Sequence, residues 1–180
     1  MYNNNILTER IFNKKNCNTL QDLEDEDNEI RKFSILITTY LKSKIEELEI
    51  NKIDNSKLIF VSEDFISKNQ KINLSDYLVK IFKLTEITQA NLITGLCYLD
   101  NFFISNKNIK KLILLSLMIS TKFYEDYFHN NEHWAFLGGI DIKILNNLEK
   151  TYLMNVNYKL IISEEKFNSK VLELSKLVLL

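Results

Sequence analysis

The sequence contains very few of the residues that form tight turns. Its 180 residues include no proline and only three glycines, Gly95, Gly138 and Gly139. Folds built from many short strands need turn residues at nearly every connection, so this composition argues against a β-sandwich or β-barrel. Hydrophobic residues make up 46% of the chain and charged residues 26%, as in an ordinary globular protein. The composition and length together predict a mainly helical protein of one domain, or at most two small ones.

The sequence also lacks an excess of one charge and a long hydrophobic run. The formal net charge is −1, from 23 basic and 24 acidic residues, whereas a nucleic-acid-binding protein needs a basic excess on one face. We therefore expect no nucleic-acid partner.

The longest apolar run, residues 112–119, is too short to cross a bilayer, and residues 1–10 are too polar for a secretory signal. We expect an intracellular protein, in the cytoplasm, the nucleus or both, with no membrane partner.

Sequence motifs for catalysis are missing as well. There is no Gly-rich phosphate-binding loop, nucleophile elbow or Cys-x-x-Cys pair. The two cysteines, Cys17 and Cys97, are far apart and are expected to be free thiols in a reducing compartment. Residues 129–133 read His-Asn-Asn-Glu-His, the spacing of a reversed zinc-protease motif, but asparagine favours turns, so we interpret them as a surface connection. We predict no enzymatic activity, no cofactor, no metal and no small-molecule ligand.

Hydrophobic residues recur at three- and four-residue steps through most of the sequence, which is typical of amphipathic helices. The pattern predicts helices over residues 30–48, 74–81, 88–103, 109–124, 141–152 and 163–178. The helix over 109–124 is apolar nearly all round, so we expect it to be buried on most sides. Asn73 or Ser75, and Asp141, are placed to cap helices. Residues 1–29 contain an acidic run that predicts a flexible arm, and residues 51–71 are predicted to be a connector.

Two charged residues stand beside apolar ones in this pattern. Lys122 ends the helix over 109–124, and Glu149 lies among hydrophobic residues of the helix that follows Gly138 and Gly139. A charge that borders apolar surface usually reaches water or pairs with a neighbour. The alternative is that the two charges border an exposed apolar patch and bind the backbone of a partner. The residues alone leave both interpretations open.

Several segments, in the same order along the sequence, resemble the P/U-type cyclins, which are single-box relatives of the phosphate-response cyclins. The segments are Leu74–Leu78, Cys97–Asp100, Thr121–Asp126, Asn130–Asn131, Gly138–Ile140, Leu145–Glu149 and Val156–Leu160. The resemblance covers residues 72–167, about half of the sequence, and its specific part runs from Lys122 to Leu160. Gly95 departs from the family, which usually has alanine there, and a glycine inside a helix costs about 1 kcal/mol relative to alanine.

The resemblance implies a five-helix cyclin box over residues 72–162. Together with the hydrophobic pattern it predicts an all-α fold, in which an extra N-terminal helix over residues 30–50 packs on the box and a C-terminal helix spans residues 163–180. The resemblance also implies that the protein is not an enzyme itself but a cyclin, a regulatory subunit that binds and activates a cyclin-dependent protein kinase by positioning the kinase C helix.

The resemblance further implies which residues bind the kinase. In cyclins a lysine that ends the third box helix and a glutamate in the fifth bind backbone groups of the kinase, and Lys122 and Glu149 match these positions. Apolar contact positions around that pair are matched by Phe123, Leu153, Tyr158 and Leu160. The alternative function is a cyclin-box-like scaffold in a transcription or assembly complex that activates no kinase.

Overall fold

The computed structural model describes residues 20–50, 57–67, 73–85 and 87–178. In this part of the protein there are seven α-helices, one turn of 3-10 helix and no β-strand. The helices are α1 (Leu20–Ile50), α2 (Leu74–Leu84), α3 (Gln89–Leu99), α4 (Ile109–Tyr124), α5 (Asn131–Gly138), α6 (Ile142–Asn155) and α7 (Glu164–Val178). Helices α2 to α6 are five box helices, so the predicted all-α fold with an additional helix at each end is confirmed. None of the seven helices combines the length and the apolar character that a membrane span needs.

The centre of the fold is formed by α3 and α4. All residues of α3 from Asn91 to Leu99 are buried, and so are all residues of α4 from Leu112 to Thr121. The predicted burial of α4 is confirmed, and α3 is buried to the same degree. The two helices approach closely at Gly95, where an added Cβ would lie 3.0 Å from Cδ2 of Leu117. The glycine therefore removes the side chain that would otherwise separate the two helices at this point.

Helix α1 is longer than the hydrophobic pattern predicted. It begins at Leu20 rather than near residue 30, so residues 20–29 of the predicted flexible arm are helical. Acidic residues are favourable near a helix N-terminus because of the helix dipole, and Asp27 also pairs with Lys83 of α2 at 2.6 Å. Residues 1–19 of the predicted arm, which include Cys17, lie outside the described residues.

The C-terminal half of α1 packs on α2 and α7. Its side chains Ile37, Tyr40, Leu41 and Ile45 are buried. Phe33 lies nearer the N-terminus of the helix, and its ring centroid is 5.8 Å from that of Phe82 in α2. These five residues lie on one face of the helix, at the three- and four-residue spacing from which the helix was predicted.

Part of the predicted connector is attached to the box. The backbone N–H of Ile59 donates to the carbonyl of Asn101 at 2.8 Å, and the carbonyl of Ile59 accepts from Phe103 at 3.0 Å. Phe65 ends the turn of 3-10 helix (Glu63–Phe65) and is fully buried. Residues 51–56 and 68–71 of the connector, and residue 72 at the start of the predicted box, lie outside the described residues.

Two of the predicted helix caps are present. The side chain of Asn73 accepts from the N–H of Ser75 at the start of α2, and Asp141 accepts from Lys143 at the start of α6. Gly139 ends α5 in the left-handed conformation, with φ of 61°, which a glycine adopts without strain.

The hydrophobic pattern did not predict helix α5. It has only eight residues, and its buried side chains, Trp134, Ala135 and Leu137, span little more than one turn. The interpretation of residues 129–133 as a surface connection is therefore wrong for residues 131–133, which form the first turn of α5. A helix this short is stabilised by tertiary packing rather than by its own pattern.

Candidate functional site

Lys122 and Glu149 are 27 positions apart in the sequence and form an ion pair. Lys122 lies in the last turn of α4, and Glu149 lies in the middle of α6. The distance from Lys122 Nζ to Glu149 Oε1 is 2.6 Å, and the two side chains are 22% and 17% exposed. The pair thus lies at the edge of the core and is still in contact with water. The structure brings together the two charges that sequence reasoning singled out.

Asn131, the first residue of α5, joins the pair. Its side-chain Oδ1 accepts a hydrogen bond from Lys122 Nζ. Its Nδ2 donates to Glu149 Oε2 at 2.7 Å and to Asn146 Oδ1 at 2.7 Å. We call these four residues, Lys122, Asn131, Asn146 and Glu149, the polar cluster. Lys122 lies in the last turn of α4, Asn131 is the first residue of α5, and Asn146 and Glu149 belong to α6.

Sequence reasoning missed the two asparagines as members of the site. Asn146 had a detectable signal, because it stands three residues before Glu149 and so shares its face of α6. Asn131 has no signal in the hydrophobic pattern, because its partners lie nine, 15 and 18 positions away in the sequence. Its signal is its place in one of the segments that resemble the P/U-type cyclins, which gives no role for its side chain.

The polar cluster keeps hydrogen-bonding capacity for a partner. A lysine ammonium has three N–H donors, and Lys122 uses two of them on Asn131 and Glu149. A carboxylate has about four acceptor positions, and Glu149 uses one on each oxygen. Among the described residues, one N–H donor of Lys122 and two acceptor positions of Glu149 are thus left without a partner at the edge of the protein. A backbone carbonyl and a backbone N–H of another protein are chemically matched to them.

The four predicted apolar contact residues differ in exposure. Phe123 is 46% exposed and Tyr158 is 63% exposed, whereas Leu153 is partly buried. Leu160 is 9% exposed and belongs to the hydrophobic core. The structure therefore places Phe123 and Tyr158 at the surface, Leu153 at its margin and Leu160 beneath it.

Tyr158 lies in a turn that ends α6 with two consecutive left-handed residues. Asn157 and Tyr158 have φ values of 51° and 56°. The N–H of Tyr158 donates to the carbonyl of Leu153 at 2.9 Å and so closes the end of the helix. A left-handed conformation costs a non-glycine residue about 1–2 kcal/mol. The backbone is thus strained at the position where Tyr158 becomes exposed.

Further large apolar side chains are exposed along the segments that carry the polar cluster. Tyr127 and Phe128 follow α4, Met154 lies at the end of α6, and Ile161 follows the turn at Tyr158. All four are at least half exposed. Single exposed apolar residues are common on protein surfaces, but several of them in the segments that carry one ion pair are consistent with a protein-binding surface.

The histidine motif does not have the geometry of a zinc protease. The rings of His129 and His133 are stacked, with centroids 4.0 Å apart. Asn130 between them is the N-cap of α5, so the two histidines do not lie on consecutive turns of one helix. His133 Nε2 donates to the carbonyl of Leu84 at 2.8 Å. Among the residues with described positions, no three or more His, Cys, Asp or Glu side chains are grouped as metal ligands.

Comparison with known proteins agrees with the helix arrangement. The family model described as Cyclin matches residues 6–160. Cyclin-P3-1 of Oryza sativa subsp. japonica is 26% identical over 168 residues, in a match that covers 88% of this chain and 70% of that protein. Cyclin-U4-3 of Arabidopsis thaliana is 28% identical over 157 residues, and the match covers 83% of this chain and 70% of that protein. Cyclin-U4-1 of the same plant is 30% identical over 105 residues, and the match covers 54% of this chain and 52% of that protein.

These relatives carry the P and U designations of the group that the sequence segments resemble. Cyclins are regulatory proteins rather than enzymes, which agrees with the lack of catalytic motifs in the sequence. The family model spans most of the protein, including all five box helices and the polar cluster. The protein therefore belongs to the cyclin family.

Proposed function

We propose that this cyclin is the regulatory subunit of a cyclin-dependent protein kinase, which it binds beside the kinase C helix and activates inside the cell. The observation that carries the proposal is the ion pair of Lys122 and Glu149, which keeps unused hydrogen-bonding capacity, on a protein whose Phe123 and Tyr158 are also exposed. In this arrangement the apolar side chains contribute affinity when they lose water, and the charged pair determines the register of docking.

The proposed activation is conformational. A protein kinase transfers phosphate only when the glutamate of its C helix pairs with its phosphate-binding lysine. A cyclin that holds the C helix inward stabilises that pair and so raises the active population. Lys122 binds a backbone carbonyl of the kinase and Glu149 a backbone N–H, while the cyclin takes no part in the chemistry.

The six proposed kinase-binding residues have different roles. Lys122, Glu149, Phe123 and Tyr158 contact the kinase directly, and Leu153 contributes its exposed edge. Leu160 supports the surface from below, because its side chain is in the core. Its carbonyl accepts hydrogen bonds from Tyr98 at 2.7 Å and from Tyr124 at 3.3 Å, which hold this part of the protein in place.

Purification of the tagged protein from its source cell, followed by a kinase assay on what elutes, tests the proposal. Lys122→Ala and Glu149→Ala should each abolish co-purification of a kinase and its activity. Truncating one partner of a charged pair in a buried interface costs about 2–5 kcal/mol of binding free energy. Each variant should still fold, because the pair is partly exposed and its loss costs less than that of a buried pair.

Lys143→Ala and Glu165→Ala are matched controls, since both side chains are exposed. Glu125 is unsuitable as a control because its carboxylate accepts a hydrogen bond from the hydroxyl of Thr88 at 3.4 Å. Site variants that fold and still activate the kinase would contradict the residue assignment. Co-purification of a complex without kinase activity would instead favour the scaffold function.

A further inference from the structure

Asn131 is the member of the polar cluster that contacts both charges and Asn146. A side-chain amide has an acceptor oxygen and a donor NH2 group. In Asn131 the oxygen accepts from the ammonium of Lys122, and the NH2 group donates to the carboxylate of Glu149 at 2.7 Å. An aspartate of nearly the same shape would still accept from Lys122, but it would have no N–H for Glu149.

The pair would be poorly ordered without a third group. Ion pairs in contact with water contribute little to stability, because the long side chains keep alternative rotamers. Hydrogen bonds to charged groups contribute more than such ion pairs do. The two bonds of Asn131 therefore restrict Lys122 and Glu149 to one arrangement before any partner is present.

Helix α5 holds Asn131 in place from both ends. Trp134 is fully buried one turn later and anchors the helix in the core. At the other end, Lys80 of α2 donates to the carbonyls of Phe136 and Leu137 at 3.3 and 3.2 Å. A lysine at the last carbonyls satisfies groups that have no partner within the helix. The amide thus projects from an element whose position is determined by packing.

We propose that Asn131 is the positioning residue for kinase binding, because its amide preorganises Lys122 and Glu149 with one donor and two acceptor positions directed to the partner. The inference rests on the proposed function and adds a residue to it. A preorganised pair loses less side-chain entropy on binding than a mobile one, so Asn131 raises affinity without having to contact the kinase.

The first test measures binding of the kinase that co-purifies with the wild-type protein. Asn131→Ala and Asn131→Asp should each raise its Kd about 10- to 100-fold, because the side chains of Lys122 and Glu149 would then lose their freedom only on binding. Asn131→Asp keeps the acceptor for Lys122, but it loses the donor to Glu149 and places a second carboxylate beside that residue. An acidic residue is favourable in the first turn of a helix, which offsets only part of the resulting loss of stability. The melting temperature of each variant is therefore measured together with its Kd.

Asn130→Ala is the matched control. Asn130 is the N-cap of α5, where it accepts from the N–H of His133 at 3.0 Å, so its loss should lower the melting temperature. It makes no described bond to Lys122 or Glu149, and the Kd for the kinase should change by less than about threefold, which is under 1 kcal/mol. If Asn131 acted only by stabilising the fold, Asn131→Ala and Asn130→Ala would raise the Kd by the same factor for the same fall in melting temperature.

The second test needs no kinase. A double-mutant cycle compares the free energies of unfolding of the wild type, Lys122→Ala, Glu149→Ala and the double variant. It measures the interaction energy of the pair in the free protein. When Asn131 is present, the unfolding equilibrium constant of the double variant should depart about twofold to a hundredfold from the value that the two single variants predict. In the Asn131→Ala background we expect almost no departure. An unchanged coupling would overturn the proposal, and so would an Asn131→Asp variant that binds the kinase as tightly as the wild type.

Failure of the proposed function would look different. In that case the wild-type protein itself would bind no kinase, and the positioning role of Asn131 would fall with it. A failure confined to Asn131 would leave wild-type binding and its dependence on Lys122 and Glu149 intact.

Discussion

Ser116 interrupts the longest apolar run of the sequence, and a buried hydrogen bond explains its presence. Its hydroxyl lies 2.6 Å from that of Tyr152 in α6, and both side chains are fully buried. Burial raises the pKa of Tyr152, so its hydroxyl stays neutral and can donate or accept. Each hydroxyl satisfies the other where no solvent reaches. A single polar residue in an apolar helix therefore indicates a specific partner across the core.

Removing either hydroxyl should destabilise the protein. Ser116→Ala and Tyr152→Phe should each lower the free energy of unfolding by about 1–3 kcal/mol, because the remaining buried hydroxyl loses its partner. The double variant should be more stable than the sum of the two effects predicts, since neither hydroxyl is then left unsatisfied. Urea denaturation of the four proteins measures the coupling. Additive effects would show that the two hydroxyls act independently.

Helices α1, α3 and α7 are joined by a second polar network, far from the polar cluster in sequence. Lys170 of α7 is 5% exposed, and its ammonium donates to Tyr40 at 2.6 Å, Glu173 at 2.7 Å and Asp100 at 2.9 Å. Lys44 pairs with Glu173 at 2.7 Å. A buried ammonium is stable only when its donors are satisfied. This network therefore adds polar links between the box and the two helices outside it, α1 and α7.

The protein should lose stability in acid through Glu173. Burial alone would raise the pKa of this carboxyl, but hydrogen bonds from Lys170 and Lys44 outweigh burial and lower the pKa from 4.5 to about 2. The unfolded state therefore takes up this proton at a higher pH than the folded state does. The stability that Glu173 contributes is present above pH 4.5 and is lost as the pH falls toward 2.

Thermal unfolding at a series of pH values, from near neutral down to about 2, measures this loss. The free energy of unfolding of Glu173→Gln should depend less on pH over the acid range, because the amide does not titrate. Glu165→Gln, at an exposed position of the same helix, should keep the wild-type profile. Parallel profiles for the wild type and Glu173→Gln would contradict the assignment.

In the molecule as a whole, α1 is part of the same core as the box helices. Ile37, Tyr40, Leu41 and Ile45 of α1 belong to one hydrophobic cluster with residues of α2, α3 and α4. An isolated helix is marginal in water, so most of the stability of α1 comes from this packing. We therefore expect the described helices to unfold together rather than in two steps.

Two isoleucines of α1 test this cooperativity. Ile37 is fully buried and Ile35, two residues earlier, is 57% exposed. Ile37→Ala should lower the free energy of unfolding by about 2–5 kcal/mol through the lost contacts and the cavity. Ile35→Ala should change it by less than about 0.5 kcal/mol. Calorimetry should show a single transition for both variants, and a separate early transition for α1 would contradict a shared core.

The sequence alone determined the fold class and most of the helices. The positions of α2, α3, α4, α6 and α7 follow from a hydrophobic stripe and local end signals, and both act between residues a few positions apart. The end of α3 is the exception, because the stripe predicted a helix to residue 103 and the helix ends at Leu99. Lys122 and Glu149 were found because a charge in an apolar stretch is visible in the sequence. Their assignment to kinase binding came from the family resemblance rather than from the pattern.

Only the tertiary structure decided the features that depend on distant contacts. Helix α5 is too short to show a pattern, and its place depends on Trp134 in the core. The first ten residues of α1 lie outside the hydrophobic stripe, and one of them, Asp27, pairs with Lys83 of α2. Asn131 has the turn preference of any asparagine, and it became a site residue only because α4, α5 and α6 meet around its amide. Local patterns define helices because neighbours in a helix are neighbours in sequence, whereas the polar cluster exists only once the helices are packed.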